Sequence, residues 1–172
     1  MFARTLLAAV ATLTLSGAAF AQSNSSTLIQ SGGGTNVGVV SQAGRGATNS
    51  SFIAQDGKHN IAATSQVGKV NSAATLQLGA KTNFASTSQV GKFNDSLNVQ
   101  QGSRSNTSLT SQIGGPRASN ANTVFQVGGP RASNTLVSSQ FGRTNAFSGA
   151  QIGGRQNIGF VSQLPGIPGL HR

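Results

Sequence analysis

Few side chains in this sequence can do acid, base or nucleophilic chemistry. Apart from Lys and Arg, its titratable side chains are Asp56, Asp95, His59 and His171, and it has no Cys or Tyr. Catalysis requires such groups to converge. Asp56 and His59 share one short connector, Asp95 falls on an outward strand position, and His171 lies in the C-terminal tail. There is no carboxylate pair, no His pair at ligand spacing, and too little acid for a calcium site. No enzyme activity, metal or cofactor is therefore expected. What the chain has in quantity is Asn and Gln, whose carboxamides both donate and accept hydrogen bonds.

Their spacing is regular. Asn24, Asn36, Asn49, Asn60, Asn71, Asn83, Asn94, Asn106, Asn120, Asn134, Asn145 and Asn157 each precede a Gln by six positions. The Gln positions are Gln30, Gln42, Gln55, Gln66, Gln77, Gln89, Gln100, Gln112, Gln126, Gln140, Gln151 and Gln163. The connectors between these units vary from 4 to 7 residues. A fixed segment with variable connectors is the signature of strands and turns in a repeat architecture. A helix is excluded by the period and by the Gly, Ser, Thr and Asn content.

In a strand, alternate residues share a face. Asn, the second and fourth residues after it, and Gln therefore line one face. That face is mostly small, as in Ala62/Thr64, Ala73/Thr75 and Ala85/Thr87. The other face carries more apolar mass, including Phe52, Leu97, Phe125 and Phe160. Gly stands two residues after Gln in eleven of the twelve units, as in Gly57, Gly68, Gly79, Gly91 and Gly102. It permits the backbone angles a corner needs. The residue before Gln is Ser in every second unit: Ser41, Ser65, Ser88, Ser111, Ser139 and Ser162. The true repeat is thus two units, and the expected fold is all-β.

Six two-strand rungs (24–42, 49–66, 71–89, 94–112, 120–140 and 145–163) would stack as a β-solenoid of two facing parallel sheets. Rungs ~4.8 Å apart place Asn over Asn and Gln over Gln, so their amides can form ladders of the amyloid kind. Hydrophobicity alone would turn Phe and Val inward. The ladder argument turns Asn and Gln inward; the residues alone leave the parity open, and the inward placement of Asn and Gln is adopted on the ladders together with a family resemblance.

Residues 1–21 differ from the rest. Arg4, the apolar run 5–15 and Ala19-Phe20-Ala21 read as a secretory signal peptide. The repeat domain is 22–163, and 164–172 is a C-terminal tail. Without Arg4 the chain keeps 11 Lys or Arg against two Asp, a formal charge of +9. Ten connectors carry one cation each: Arg45, Lys58, Lys69, Lys81, Lys92, Arg104, Arg117, Arg131, Arg143 and Arg155. Stacking gathers them into a basic column on each rim. Such columns can slow aggregation during export or attract anionic polymers. Specific nucleic-acid recognition is not expected, because no aromatic residues are interleaved for base stacking.

The pattern Gln-x-Gly-x-x-Asn-x5-Gln, as in Gln66-Val-Gly-Lys-Val-Asn71 through Gln77, resembles the curlin repeat over residues 24–163. Curlins are the amyloid subunits of curli fibres on Gram-negative bacteria. The resemblance implies a secreted, cell-surface fibre subunit serving adhesion and biofilm. Its implied partners are further copies of itself, other curlin subunits and an outer-membrane export pore, with anionic surface polymers as additional candidates. The positive charge resembles that of nucleator subunits, and both nucleator and major-subunit roles stay open. The sequence departs from the family in starting both strands with Asn and in two long Gly-Gly-Pro-Arg-Ala-Ser-Asn connectors, 114–120 and 128–134. The rival expectation is a monomeric secreted solenoid that binds polyanions through its basic columns.

Overall fold

The structure is a computed structural model and describes residues 12–13, 24–32, 34–44, 48–102, 104–115, 118–129 and 131–164, except the Ala80 side chain. Its strands are β1 (Thr12–Leu13), β2 (Ser25–Ser31), β3 (Thr35–Ala43), β4 (Thr48–Gln101), β5 (Ser105–Ile113), β6 (Ser119–Val127), β7 (Ser133–Phe141), β8 (Thr144–Ile152) and β9 (Gln156–Gln163). Of the expected signal peptide only β1 is described, running parallel to β3 at Val39 and Val40. Of the tail only Leu164 is described.

Every strand pairing is parallel, and its register follows the two-unit repeat. β2 pairs with β4 at Gln30↔Gln55, and β3 pairs with β4 at Gln42↔Gln66. β4 continues onto β5 at Asn83↔Asn106 and onto β6 at Asn94↔Asn120. β7 and β9 extend the β5 stack, and β8 extends the β6 stack. The Ser that marks alternate units stacks on itself at Ser41↔Ser65 and again along Ser88, Ser111, Ser139 and Ser162. The chain is a parallel β-solenoid of about five turns.

The expected two sheets are present as facing stacks, but they are not separate. Strand pairing runs unbroken through β4, 54 residues long, because its short connectors stay extended as they round the corners. All strands therefore belong to one continuous sheet. Gly68 shows why glycine sits at a corner. Its φ of 140° lies outside the ordinary range of other residues, and a Cβ there would overlap the Gly91 carbonyl one rung below.

The two long connectors keep the register by adding a β-turn. Ala118 N–H donates to the Gly115 carbonyl, and Ala132 N–H donates to that of Gly129, both at 3.0 Å. Ala118 and Ala132 are buried, and Gly114 leaves room for Ala118.

The core lies between the stacks. Strands alternate buried and exposed residues, and the buried set is the Asn–Gln face. Large and small residues complement one another across it. Leu28 fills the space a side chain on Gly38 would take, Leu136 does so beside Gly159, and Phe147 does so beside Gly149. Apolar burial is thin, with Val40, Ile53 and Ala62 packed around Leu28 as its main cluster.

The corner geometry gives a stability order. Gly68→Ala should destabilise by more than about 2 kcal/mol, because it combines steric overlap with an unfavourable φ. Gly79→Ala has an equally positive φ sign (63°) but meets no atom within 4 Å. It should cost nearer 1 kcal/mol. Denaturation midpoints of the two variants measure the difference.

Candidate functional site

The Gln residues stack with one polarity. Gln42 Nε2 donates to Gln66 Oε1, Gln66 to Gln89, Gln89 to Gln112, Gln112 to Gln140, and Gln140 to Gln163, at 2.7–2.9 Å. The second stack runs Gln30, Gln55, Gln77, Gln100, Gln126 and Gln151 in the same sense. Every link donates toward the C-terminal rung.

Each of these Nε2 groups from Gln42 onward has a second bond. It donates across the core to the carbonyl of the residue after Asn on the facing strand: Gln55 to Val37, Gln66 to Ser50, Gln89 to Ser72 and Gln112 to Asp95. These contacts of 2.8–3.1 Å fasten the two stacks together where apolar packing is sparse. Gln is required because Asn is one methylene shorter. Sequence reasoning predicted the ladders and missed these crosslinks; the available signal was the unvarying choice of Gln rather than Asn at the end of every unit.

The Asn ladders run the other way. Asn60 Nδ2 donates to Asn36 Oδ1, Asn83 to Asn60, Asn106 to Asn83, and onward through Asn134 and Asn157, at 2.8–3.0 Å. Asn71, Asn94, Asn120 and Asn145 form the companion stack, with Asn71 donating to Asn49. The interior Asn and Gln residues are almost wholly buried; Asn49, Asn60, Asn83, Gln66, Gln77, Gln89 and Gln100 are all 0 % exposed. Inward Asn98 and Asn122 add a polar cluster. Asn98 donates to Thr87 and accepts from Ser108, and Asn122 donates to Thr110 and accepts from Ser138.

The end rungs differ from the interior. Inward positions of β8 and β9, including Asn145, Gln151, Asn157 and Gln163, are only half-buried. At the opposite end Gln42 Oε1 is buried with no hydrogen-bond partner.

The connectors place the cations as two columns. Lys58, Lys81, Arg104, Arg131 and Arg155 follow the strands of the β2 stack and are exposed. Successive connectors there are bonded, as Thr82 N–H donates to the Arg104 carbonyl and Ser133 N–H to that of Arg155. Lys69, Lys92 and Arg143 lie on the other rim. Arg45 and Arg117 lie outside the described residues. None of the described cations forms an ion pair, and Lys92 Nζ rests 5.3 Å from the centre of the Phe93 ring. Of the outward apolar residues, Phe125 and Phe160 are exposed, and Phe52 and Leu97 are half-buried. Among the described residues, no three His, Cys, Asp or Glu gather as metal ligands would.

Fold and site together define a parallel β-solenoid with buried Asn and Gln ladders, a structural repeat protein consistent with curlin-like repeats. No family model, curated protein or solved structure matches the chain.

The ladders predict an asymmetry between faces. Gln89→Leu removes three buried hydrogen bonds, to Gln66, Gln112 and the Ser72 carbonyl, and should cost about 3 kcal/mol. The neighbouring Ser88 faces outward, and Ser88→Ala should stay within ~0.5 kcal/mol. Equilibrium unfolding of both variants tests the pair.

Proposed function

We propose that the chain is a secreted structural subunit that self-assembles into extracellular curli-like amyloid fibres, for surface adhesion and biofilm matrix. The observation that carries this reading is the polarity of its ends. The N-terminal rung offers Gln acceptors, Gln42 Oε1 among them, whereas the C-terminal rung holds the last Gln donors, Gln151 and Gln163. The Asn ladders end in the opposite sense, with Asn145 and Asn157 the last acceptors. A second copy in the same orientation would continue all four ladders and the strand pairing of both stacks. Removal of the expected signal peptide takes β1 away and leaves the edge of β3 unpaired; unpaired parallel edges favour such addition, and a heterologous contact that does not close gives an open filament.

The partners follow from the curlin resemblance: further copies of this chain, other curlin subunits and an export pore in the outer membrane of a Gram-negative bacterium. No enzymatic step belongs to this role. Seeding distinguishes the two subunit types. A nucleator should shorten the lag of a second curlin added in excess.

A second reading, a monomeric solenoid that binds anionic polymers, is favoured by the unpaired cation column Lys58, Lys81, Arg104, Arg131 and Arg155. The two readings separate in one experiment. The chain from Gln22 onward, unseeded, should show a sigmoidal rise in thioflavin fluorescence. Gln151→Leu with Gln163→Leu should slow elongation at least several-fold, while the β-sheet circular dichroism of the monomer persists. A chain that stays monomeric in high salt with full β-sheet signal would contradict the fibre reading and support the polyanion one.

A further inference from the structure

The two rims are not alike. Gln-Val-Gly-Lys occurs at 66–69 and again at 89–92, on the same rim and in adjacent rungs. There the structure forms an open groove of about 390 Å³, lined by Val67, Gly68 and Lys69 of one rung, Val90, Gly91 and Lys92 of the next, and Gly114 and Gly115 of the third. Its lining is almost entirely apolar.

The groove follows from the stacking. A Cβ on Gly68 would overlap the Gly91 carbonyl, and one on Gly91 would overlap the Gly114 carbonyl. Three successive rungs must therefore leave out a side chain at the same place, and bare backbone forms the floor. Val67 and Val90 make one wall and are 45% and 39% exposed, so their apolar surface is unused by the core. Lys69 and Lys92 stand on the other side without an acidic partner. Neither of the chain's two acids, Asp56 and Asp95, forms an ion pair with either lysine. On the opposite rim the residues after Gln in the first four rungs are Ser31, Asp56, Leu78 and Gln101, so no two apolar residues stand in adjacent rungs there before Val127 and Ile152.

We infer that this groove binds a slender anionic amphiphile of the fatty-acid class. The alkyl chain would lie along the glycine floor against Val67 and Val90, and the carboxylate would meet the ammonium groups of Lys69 and Lys92. The glycine floor carries no side chains, which suits a linear alkyl chain better than a folded polymer. Amphiphile binding sites combine apolar walls with a few placed polar groups, and alkyl chains gain from each buried methylene. The site lies within three rungs of one chain and does not depend on fibre formation.

A fluorescent fatty acid, dansylaminoundecanoate, titrated onto the chain from Gln22 onward and displaced by laurate below its micelle concentration, tests this. Saturable binding at one site per chain is expected, with dodecanol displacing the probe at least ten-fold less well than laurate. Val67→Ser with Val90→Ser should weaken binding about ten-fold or more. Lys69→Gln with Lys92→Gln should weaken it several-fold, and Lys58→Gln with Lys81→Gln should leave it unchanged. All of these side chains point away from the core, and circular dichroism verifies that each variant keeps its β-sheet. Equal losses from the two lysine pairs, or no loss from the valine pair, would reduce the effect to general surface charge and overturn the proposal.

Discussion

The stacked carboxamide is the constraint from which the rest of this molecule follows. A buried Asn or Gln side chain must donate and accept in full, because each unpaired group costs more than a formed hydrogen bond contributes. In a parallel stack the side-chain partner in constant reach is the same residue one rung away. Slipping the register by one residue would bury the wrong face and break every link at once. The invariant six-residue distance between Asn and Gln is the visible result, since it sets two ladders at the two ends of each strand. The connectors carry no such requirement, which is why 4 or 7 residues serve equally well.

This explains how a chain with 5% aromatic and 36% hydrophobic residues can hold a defined core. Apolar burial is concentrated at Leu28, Val40 and Ile53 near one end and at Val124 and Leu136 toward the other. The middle rungs are filled by Ala, Ser, Thr and Asn, with Asn98 and Asn122 linking across the core. The Gln side chains do there what packing does elsewhere, by tying each strand to the one facing it. Glycine at the corners is the complementary device, because at Gly68 and Gly91 the tight stacking of bends leaves no room for a Cβ atom. The valine-lined groove on one rim is a by-product of that same requirement.

Much of this was legible in the sequence. The period gave strand positions, the Ser alternation gave the two-unit rung, and the need for satisfied amides gave the inward parity against the pull of hydrophobicity. Phe125 and Phe160 are accordingly outside. The cross-core bonds left only one trace, the constant choice of Gln as donor, because their acceptor is a backbone carbonyl and leaves no mark on residue identity. The joining of the two stacks into one sheet was also hidden, since continuity through a corner depends on backbone geometry. The Gly-Gly-Pro-Arg-Ala connectors looked like departures from the repeat. They are β-turn insertions that leave the register on either side intact.

The most direct test of this account is side-chain amide hydrogen exchange, followed by NMR on the chain labelled with ¹⁵N at Gln. If buried ladders hold the solenoid together, the carboxamide protons of Gln77, Gln89 and Gln100 should exchange only through cooperative opening, orders of magnitude slower than a free amide. Those of the terminal Gln163 should exchange far faster. Uniform exchange at the free rate across all the glutamines would contradict the ladders as the structural basis of the fold.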